Sequence, residues 1–126
     1  MAQHLVADRV WWFQLWMAQG SPELAPIVHW DPADPVEQAP LTAPELVAGL
    51  EATWRMIEDA LNRWTTADLA QVFQPPAAIG QAMQAAFGER SRRWIIWHVL
   101  EHEMLHTGEL SLALGSYGLP GFYGDI

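Results

Sequence analysis

The fold of this chain is decided by residues 94–109, which read WIIWHVLEHEMLHTGE. Three of the chain's five histidines, His98, His102 and His106, stand in this stretch, four residues apart. The stretch holds no proline and only one glycine, which indicates a long helix over about residues 89–117. At ~100° per residue the three imidazoles lie within an arc of ~80°, and Glu109 falls between the first two. Imidazoles spaced in this way on one helical face can bind a single metal ion.

The histidine face of this helix is also its apolar face. Apolar residues border the histidine arc on both sides: Trp94, Leu105 and Leu112 on one, and Ile95, Val99 and Ala113 on the other. Burying several imidazoles among apolar groups is costly unless their nitrogens gain partners. A metal ion would supply those partners, and we therefore expect one. The alternative is a helix whose histidines are structural or exposed.

The composition bounds the class of protein. A chain of 126 residues with 51% hydrophobic residues predicts one globular domain spanning residues 1–126. Cysteine is absent, which excludes disulfides and thiolate ligands from the protein itself. The formal charge of −9, with all six basic residues being arginine, makes nucleic acid a poor partner. No signal-like segment and no run of eighteen apolar residues is present, so we expect a cytoplasmic protein that is not bound to a membrane.

The remaining segments predict an all-α helical bundle. Helical spacing predicts a first helix over residues 2–19, with His4 at the inner edge of its apolar stripe. Five prolines in residues 21–43 argue against a regular element there, and Asp31, Asp34 and Glu37 are expected to keep this connection solvated. A capping box at residues 42–45 opens a second long helix that ends near residue 64. Residues 79–87 are compatible with a short helix, and parts of residues 65–89 with extended chain.

Two metalloprotease patterns overlap in the long helix. Residues 102–106 match H-E-x-x-H, in which two histidines bind zinc and the glutamate is the general base. Residues 98–102 match the reversed pattern, H-x-x-E-H. A zincin also needs a third ligand, usually downstream, and only Glu109 and Asp125 follow His106 as ligand types. A strand-rich subdomain for holding a peptide is not evident either, so a zincin-type metalloprotease is retained only as an alternative.

The two ends of the chain together resemble the DinB-like (YfiT-like) superfamily of metal-binding four-helix bundles. The end of the long helix is similar to the closing helix of that family in His102 and His106, in residues 107–109 (TGE) and in residues 119–120 (LP). Residues 3–6 (QHLV), followed by residues 10–13 (VWWF), resemble the family helix that supplies the other ligand. The resemblance implies a divalent ion, Zn²⁺ or Ni²⁺, bound by His4, His102 and His106.

The resemblance also implies a small-molecule enzyme. Three imidazole ligands leave coordination positions open, as in catalytic rather than structural zinc sites. Members of the family include thiol-dependent transferases and isomerases, so a low-molecular-weight thiol is an expected cosubstrate, and a hydrolase is a further option. Glu103 and His98 are the candidate catalytic residues, as a base and a proton carrier. Glu109 is expected to orient an imidazole, and Asp8 to orient His4 or to be a fourth ligand. The rival hypotheses are a non-catalytic metal- or ligand-binding bundle and a purely structural protein.

Finally, the position of His4 predicts an incomplete bundle. In the family the first ligand stands on the second helix, whereas here no helix precedes it. The apolar stripe of the first segment would then be partly exposed: Trp11, Trp12, Phe13, Trp16 and Met17. We expect a second copy to cover that stripe in a symmetric homodimer. Alternatively, residues 79–87 fold back into the gap, or a wrongly assigned start codon has removed the first helix.

Overall fold

Helices make up most of the computed structural model, which describes residues 1–36 and 38–121. Glu37 and Asp125, which were considered above, lie outside the described residues. Within them the α-helices are α1 (Ala2–Val10), α2 (Ala43–Arg63), α3 (Gln81–Phe87) and α4 (Arg92–Ser116). Short 3₁₀ segments span Pro22–Trp30 and Asp68–Ala70. The prediction of a helical fold is therefore confirmed.

The first predicted helix changes its geometry midway. After Val10 the chain continues as a π-helix over Trp11–Trp16, and the helix ends there rather than at residue 19. The wider π turn accommodates consecutive aromatic side chains, and π segments of this kind are often found at functional sites. Ala18 then adopts a positive φ of 54°, and Gly20 a φ of 83°. These two left-handed residues turn the chain away from the helix axis.

The proline-rich connection is more ordered than the sequence predicted. Residues Pro22–Trp30 form a 3₁₀ helix, although Pro26 lies inside it. Pro22 stands in the first turn, where its missing N–H is not needed, and the segment buries Ile27. At its end Trp30 lies against Gly49 of α2, where an added Cβ atom would overlap the indole ring. The absence of a side chain at Gly49 thus lets this segment pack onto α2.

Helix α2 follows its prediction closely. The Thr42 hydroxyl accepts a hydrogen bond from the Glu45 N–H at 3.4 Å, and the Glu45 carboxylate accepts one from the Thr42 N–H at 2.8 Å. This reciprocal capping box satisfies two N–H groups at the helix start. The helix ends at Arg63, one residue before the predicted end.

The segment before α4 contains a minimal sheet, which a strictly all-α prediction does not include. Strands β1 (Val72–Phe73) and β2 (Arg90–Ser91) pair antiparallel, with Val72 opposite Ser91. Because residues 90–91 are extended, α4 begins at Arg92, three residues later than predicted, with its first turn capped by the Ser91 hydroxyl. Its end at Ser116 agrees with the prediction to within one residue.

The prediction of an exposed aromatic stripe on the first helix is wrong. Trp12 and Phe13 are each 1% exposed, Trp16 is 5% exposed and Met17 is 3% exposed. The Phe87 ring at the end of α3 packs against Trp11, Trp12 and Trp16, at centroid distances of 5.5, 5.3 and 6.4 Å. Residues 79–87 therefore cover this flank, as in the alternative considered above. A charged side chain at Trp12 would consequently unfold the chain rather than separate two copies.

Exposed large apolar side chains are found instead on α4, among other elements. Five large apolar side chains of α4 are more than half exposed, including Leu105 and Leu112 at the border of the histidine arc. The other three, Trp97, Leu100 and Met104, form what we call the outer face of α4. This face is on the side of the helix opposite the histidines, at the ~100° spacing of helical residues. Gly108 and Gly115 on the same helix have open space around them. Although α4 is 25 residues long, it is not apolar enough to cross a bilayer, and neither is any other helix within the described residues.

Candidate metal centre

Three histidines from the two ends of the chain converge between α1 and α4. His4 comes from the first turn of α1, and His102 and His106 come from α4. The Nε2 atom of His102 lies 3.0 Å from Nε2 of His4 and 3.1 Å from Nε2 of His106. One ligand nitrogen from each of the three residues lies within 4.8 Å of the others. The residues named from the sequence as metal ligands are therefore together in space.

A carboxylate stands behind each of these imidazoles. The Nδ1 atom of His4 is 2.6 Å from Oδ2 of Asp31. For His106 the partner is Glu109, whose Oε2 lies 2.6 Å from Nδ1. The Nδ1 atom of His102 is 3.3 Å from Oδ2 of Asp8. This last pair is close but not aligned for a hydrogen bond, and both atoms are buried without another partner.

The carboxylates determine which ring nitrogen is free. Since a carboxylate only accepts hydrogen bonds, we assign the imidazole proton to Nδ1 in His4 and His106, and in His102 when Asp8 is ionised, which leaves a lone pair on each Nε2. Three lone pairs then point toward one another, an arrangement that repels unless a cation lies between them. Tetrahedral bonds of about 2.0–2.1 Å from zinc place two ligand nitrogens about 3.3 Å apart. The observed separations of 3.0 and 3.1 Å lie close to that value. The residues present thus fit a divalent ion.

Burial and mutual repulsion disturb the acid–base equilibria of the centre. Burial, together with the neighbouring His106 and His4, lowers the pKa of His102 to about 4. Burial raises the pKa of Asp8 to about 7, against the opposing effect of His4. Burial by itself would raise the pKa of Asp31, but hydrogen bonds with the Ala33 N–H and with His4 hold that pKa below its usual value. The metal-free centre therefore favours a neutral His102 and resists a charge on Asp8.

The structure alters the predicted roles of the neighbouring acids. Glu109 lies against His106, in agreement with its predicted orienting role. Asp8 was assigned to His4 from its position one turn later on the same helix, but it reaches across to His102 on α4. Asp31 was expected to be a solvated loop residue and was missed as a partner of His4. No local pattern distinguishes it, because the loop reaches the site only through the packing of the preceding 3₁₀ segment on α1 and α2.

Glu103, a predicted catalytic base, is held by an arginine that no sequence pattern singles out. Nε and Nη2 of Arg9 donate to the two carboxylate oxygens of Glu103, the second bond measuring 2.9 Å. Nη1 of Arg9 donates to the Leu50 carbonyl at 3.0 Å and lies 3.3 Å from the Thr53 hydroxyl oxygen. Arg9 is 8% exposed, so this ion pair links α1, α2 and α4 beneath the surface. Glu103 is therefore half-buried and paired rather than solvated.

His98 stands one turn before His102 in an aromatic setting. Its ring stacks on Trp94 at a centroid distance of 4.8 Å and meets the edge of Trp12 at 5.0 Å. Its ring centroid is 6.1 Å from that of His102. Burial lowers the pKa of His98, which favours the neutral ring. The fifth histidine, His29, instead lies 3.2 Å from Asp34 and takes no part in the cluster.

A cavity of about 300 Å³ opens beside the centre. Polar groups from His4, Asp8, Asp31, His98 and His102 line one part of it. The rest is apolar and comes from four elements: Ala7, Trp11, Trp12, Val28, Met83 and Phe87. A larger groove of about 1070 Å³ runs along α4, but none of the three clustered histidines lines it. Of these two cavities, the smaller is therefore the one that adjoins the centre, through His4 and His102.

Comparison with known proteins identifies a family for this chain. No curated protein and no solved structure matches this chain. A family model described as the DinB superfamily matches residues 2–110, which include α1, α4 as far as Leu110, and all three clustered histidines. Because that match covers most of the 126 residues, the chain belongs to the DinB superfamily.

Proposed function

We propose that this protein is a metal-dependent enzyme for a small molecule, with a divalent ion held by His4, His102 and His106. One observation supports the proposal above all: three Nε2 atoms face one another while a carboxylate stands at each Nδ1. Carboxylates in this position fix the tautomer of ligating histidines and increase their basicity. Helices that only pack together have no need of such an arrangement.

Three imidazole ligands favour a catalytic metal site over a site that only binds metal. Three imidazoles leave positions open for a substrate, and the cavity beside His4 and His102 leads to that side of the centre. When bound, Zn²⁺ or Ni²⁺ would supply Lewis acidity, lowering the pKa of a coordinated water or thiol. The reaction types that we propose are thiol-dependent transfer or isomerisation, with a low-molecular-weight thiol as cosubstrate, or hydrolysis.

Of the two candidate catalytic residues, His98 is better placed to move a proton. It lines the cavity, and its ring nitrogens have no hydrogen-bond partner among the residues described. Glu103 has both carboxylate oxygens occupied by Arg9, so acting as a base would require that ion pair to break. The same pairing weakens the alternative of a zincin-type protease, in which this glutamate must be free to activate water.

The first test is elemental analysis of the purified protein after equilibration with Zn²⁺ or Ni²⁺. We expect about one ion per chain, and its loss in the His102→Ala and His106→Ala variants. His4→Ala should lose far more affinity than His29→Ala, a matched control that removes an imidazole outside the cluster. If the double variant His102→Ala/His106→Ala bound metal as tightly as the wild type, the proposal would be wrong.

A second test separates an enzyme from a non-catalytic binding protein. The metal-loaded protein and its chelator-treated form should be assayed side by side with thiols, esters and amides. We expect turnover that disappears on chelation and returns with the ion. An occupied site that stays inert to all three substrate classes would favour the binding protein instead.

A further inference from the structure

We propose that the cavity beside the histidine centre selects a compact ligand without negative charge on its body. Such a ligand has one metal-binding group, such as a thiol, attached to an apolar, aromatic or amine-bearing body. The inference rests on the proposed function, because the binding group is expected to reach the ion.

The walls of the cavity argue for an apolar body. Trp11 and Trp12 come from the π-helix, Met83 and Phe87 from α3, and Val28 from the 3₁₀ segment. Trp11 and Trp12 meet edge to face at a centroid distance of 4.6 Å, and Phe87 packs against both. A volume of about 300 Å³ lies at the lower end of the range for small-molecule sites. The space therefore suits one ring or a short aliphatic chain rather than a large conjugate.

The charges around the cavity argue against an anionic body. Asp8 and Asp31 contribute carboxyl groups to the lining, and no arginine is among the described lining residues. The chain has six arginines and no lysine, and those nearest the site have other partners. Arg9 is paired with Glu103, Arg92 donates to Asp68 and Gln71, and Arg90 lies over Trp94. The bound ion is taken up by the metal-binding group, so a carboxylate or phosphate on the body of the ligand would find no cationic side chain among the described lining residues, which costs free energy in a partly desolvated site.

His98 provides one neutral polar contact on the same wall. Stacking on Trp94 and the edge contact with Trp12 hold its ring in place beside the cavity. Its ring centroid is 6.1 Å from that of His102, so a hydroxyl or amide one ring away from the metal-binding group would reach it. A neutral hydrogen-bonding group is thus accommodated where a charged one is not.

The test compares two probes of nearly equal shape, 4-(sulfanylmethyl)benzamide and 4-(sulfanylmethyl)benzoate. Both are titrated into the Co²⁺-loaded protein, and binding is followed by the cobalt absorption spectrum and by tryptophan fluorescence. Since an unpaired polar or charged group typically loses about tenfold or more in affinity, the amide should bind at least about tenfold more tightly than the carboxylate.

Two arginine variants locate the source of the selectivity. Met83 lines the cavity and is 45% exposed, so Met83→Arg places a cation at its wall without filling the core. This variant should reduce the preference for the amide to less than about threefold, or reverse it. Met104→Arg is the control, because Met104 is exposed on the outer face of α4 and does not line the cavity. It should leave the preference unchanged.

Three results would count against the inference or its basis. Equal binding of both probes to the wild-type protein would overturn the selectivity, and an unchanged preference in Met83→Arg would overturn the assignment to this cavity. A chain that takes up no Co²⁺ would instead refute the proposed function itself. One set of titrations therefore distinguishes a failure of the proposed ligand selectivity from a failure of the proposed metal-dependent function.

Discussion

Replacing Asp8 with asparagine should stabilise the metal-free protein while weakening its hold on metal. The buried carboxyl group of Asp8 has a pKa of about 7, well above the ordinary aspartate value of 3.8. A raised pKa in the folded state means that ionisation favours the unfolded chain. The resulting loss of stability is absent below about pH 4, grows as the pH rises, and is complete above pH 7. Asparagine carries no charge and avoids this loss at every pH.

The size of the effect follows from the change in pKa. At about 1.4 kcal/mol per tenfold change, the interval from 3.8 to about 7 corresponds to about 4 kcal/mol at pH 8. This is an upper bound, because relaxation and water entry reduce the penalty of burying a charge. His102 is present in both proteins, so its own lowered pKa affects both unfolding curves and largely cancels in the comparison.

Metal binding should respond to the same substitution in the opposite direction. With an ion at Nε2 of His102, the carboxylate of Asp8 would stabilise the polarised Nδ1–H group 3.3 Å away. Asparagine removes that negative charge, so we expect the affinity for Zn²⁺ to fall about 10–100-fold. A residue of merely structural importance would lower stability and metal affinity together.

The assay is urea unfolding of chelator-treated protein at pH 4.5, 6 and 8, together with calorimetric titration with Zn²⁺. Tryptophan fluorescence reports the unfolding, since the chain contains eight tryptophans. The Asp59→Asn variant, which removes an exposed carboxylate from α2, should change neither quantity appreciably. The reasoning fails if the Asp8→Asn protein is no more stable than the wild type at pH 8, or if its gain is the same at pH 4.5.

Three further outcomes are expected. Gly49→Ala should push Trp30 off α2 and destabilise the protein by about 1–3 kcal/mol in urea unfolding. The same variant should weaken Zn²⁺ binding, because Asp31, which follows Trp30 and lies against His4, moves with it. Ala18→Gly should raise the free energy of unfolding by about 0.5–1 kcal/mol, since φ is 54° at this position; an unchanged midpoint would contradict it. We propose that a second copy covers the outer face of α4, so the wild type should sediment as a dimer at low micromolar concentration and Met104→Glu as a monomer that keeps its metal; a wild-type monomer would refute the proposal.

The features that sequence could predict are those set by helical periodicity and local capping. The four-residue spacing of His98, His102 and His106 is enough to predict a shared face, and the resemblance to the family adds His4. The Thr42 cap is equally local and was identified correctly. Such features depend only on residues within one or two turns of each other.

The features that sequence could not predict depend on tertiary contacts. Asp31 faces His4 from 27 residues away because a 3₁₀ segment in a proline-rich stretch packs onto α1 and α2. Arg9 and Glu103, which form an ion pair, are 94 residues apart in the sequence, so no local pattern predicts their contact. The aromatic stripe of the first helix was expected to be exposed because nothing local indicates that Phe87 packs against it.

The separation of the clustered histidines along the chain has a consequence for biosynthesis. His4 and His102 are 98 residues apart, yet their Nε2 atoms meet at 3.0 Å. At about 5–20 residues per second, the ribosome needs roughly 5–20 s to pass from one to the other. During that interval the nascent chain offers one imidazole of the cluster and competes poorly for metal. Loading of the centre therefore has to follow the synthesis and docking of α4, and a fragment that stops before this helix would leave metal for other proteins to bind.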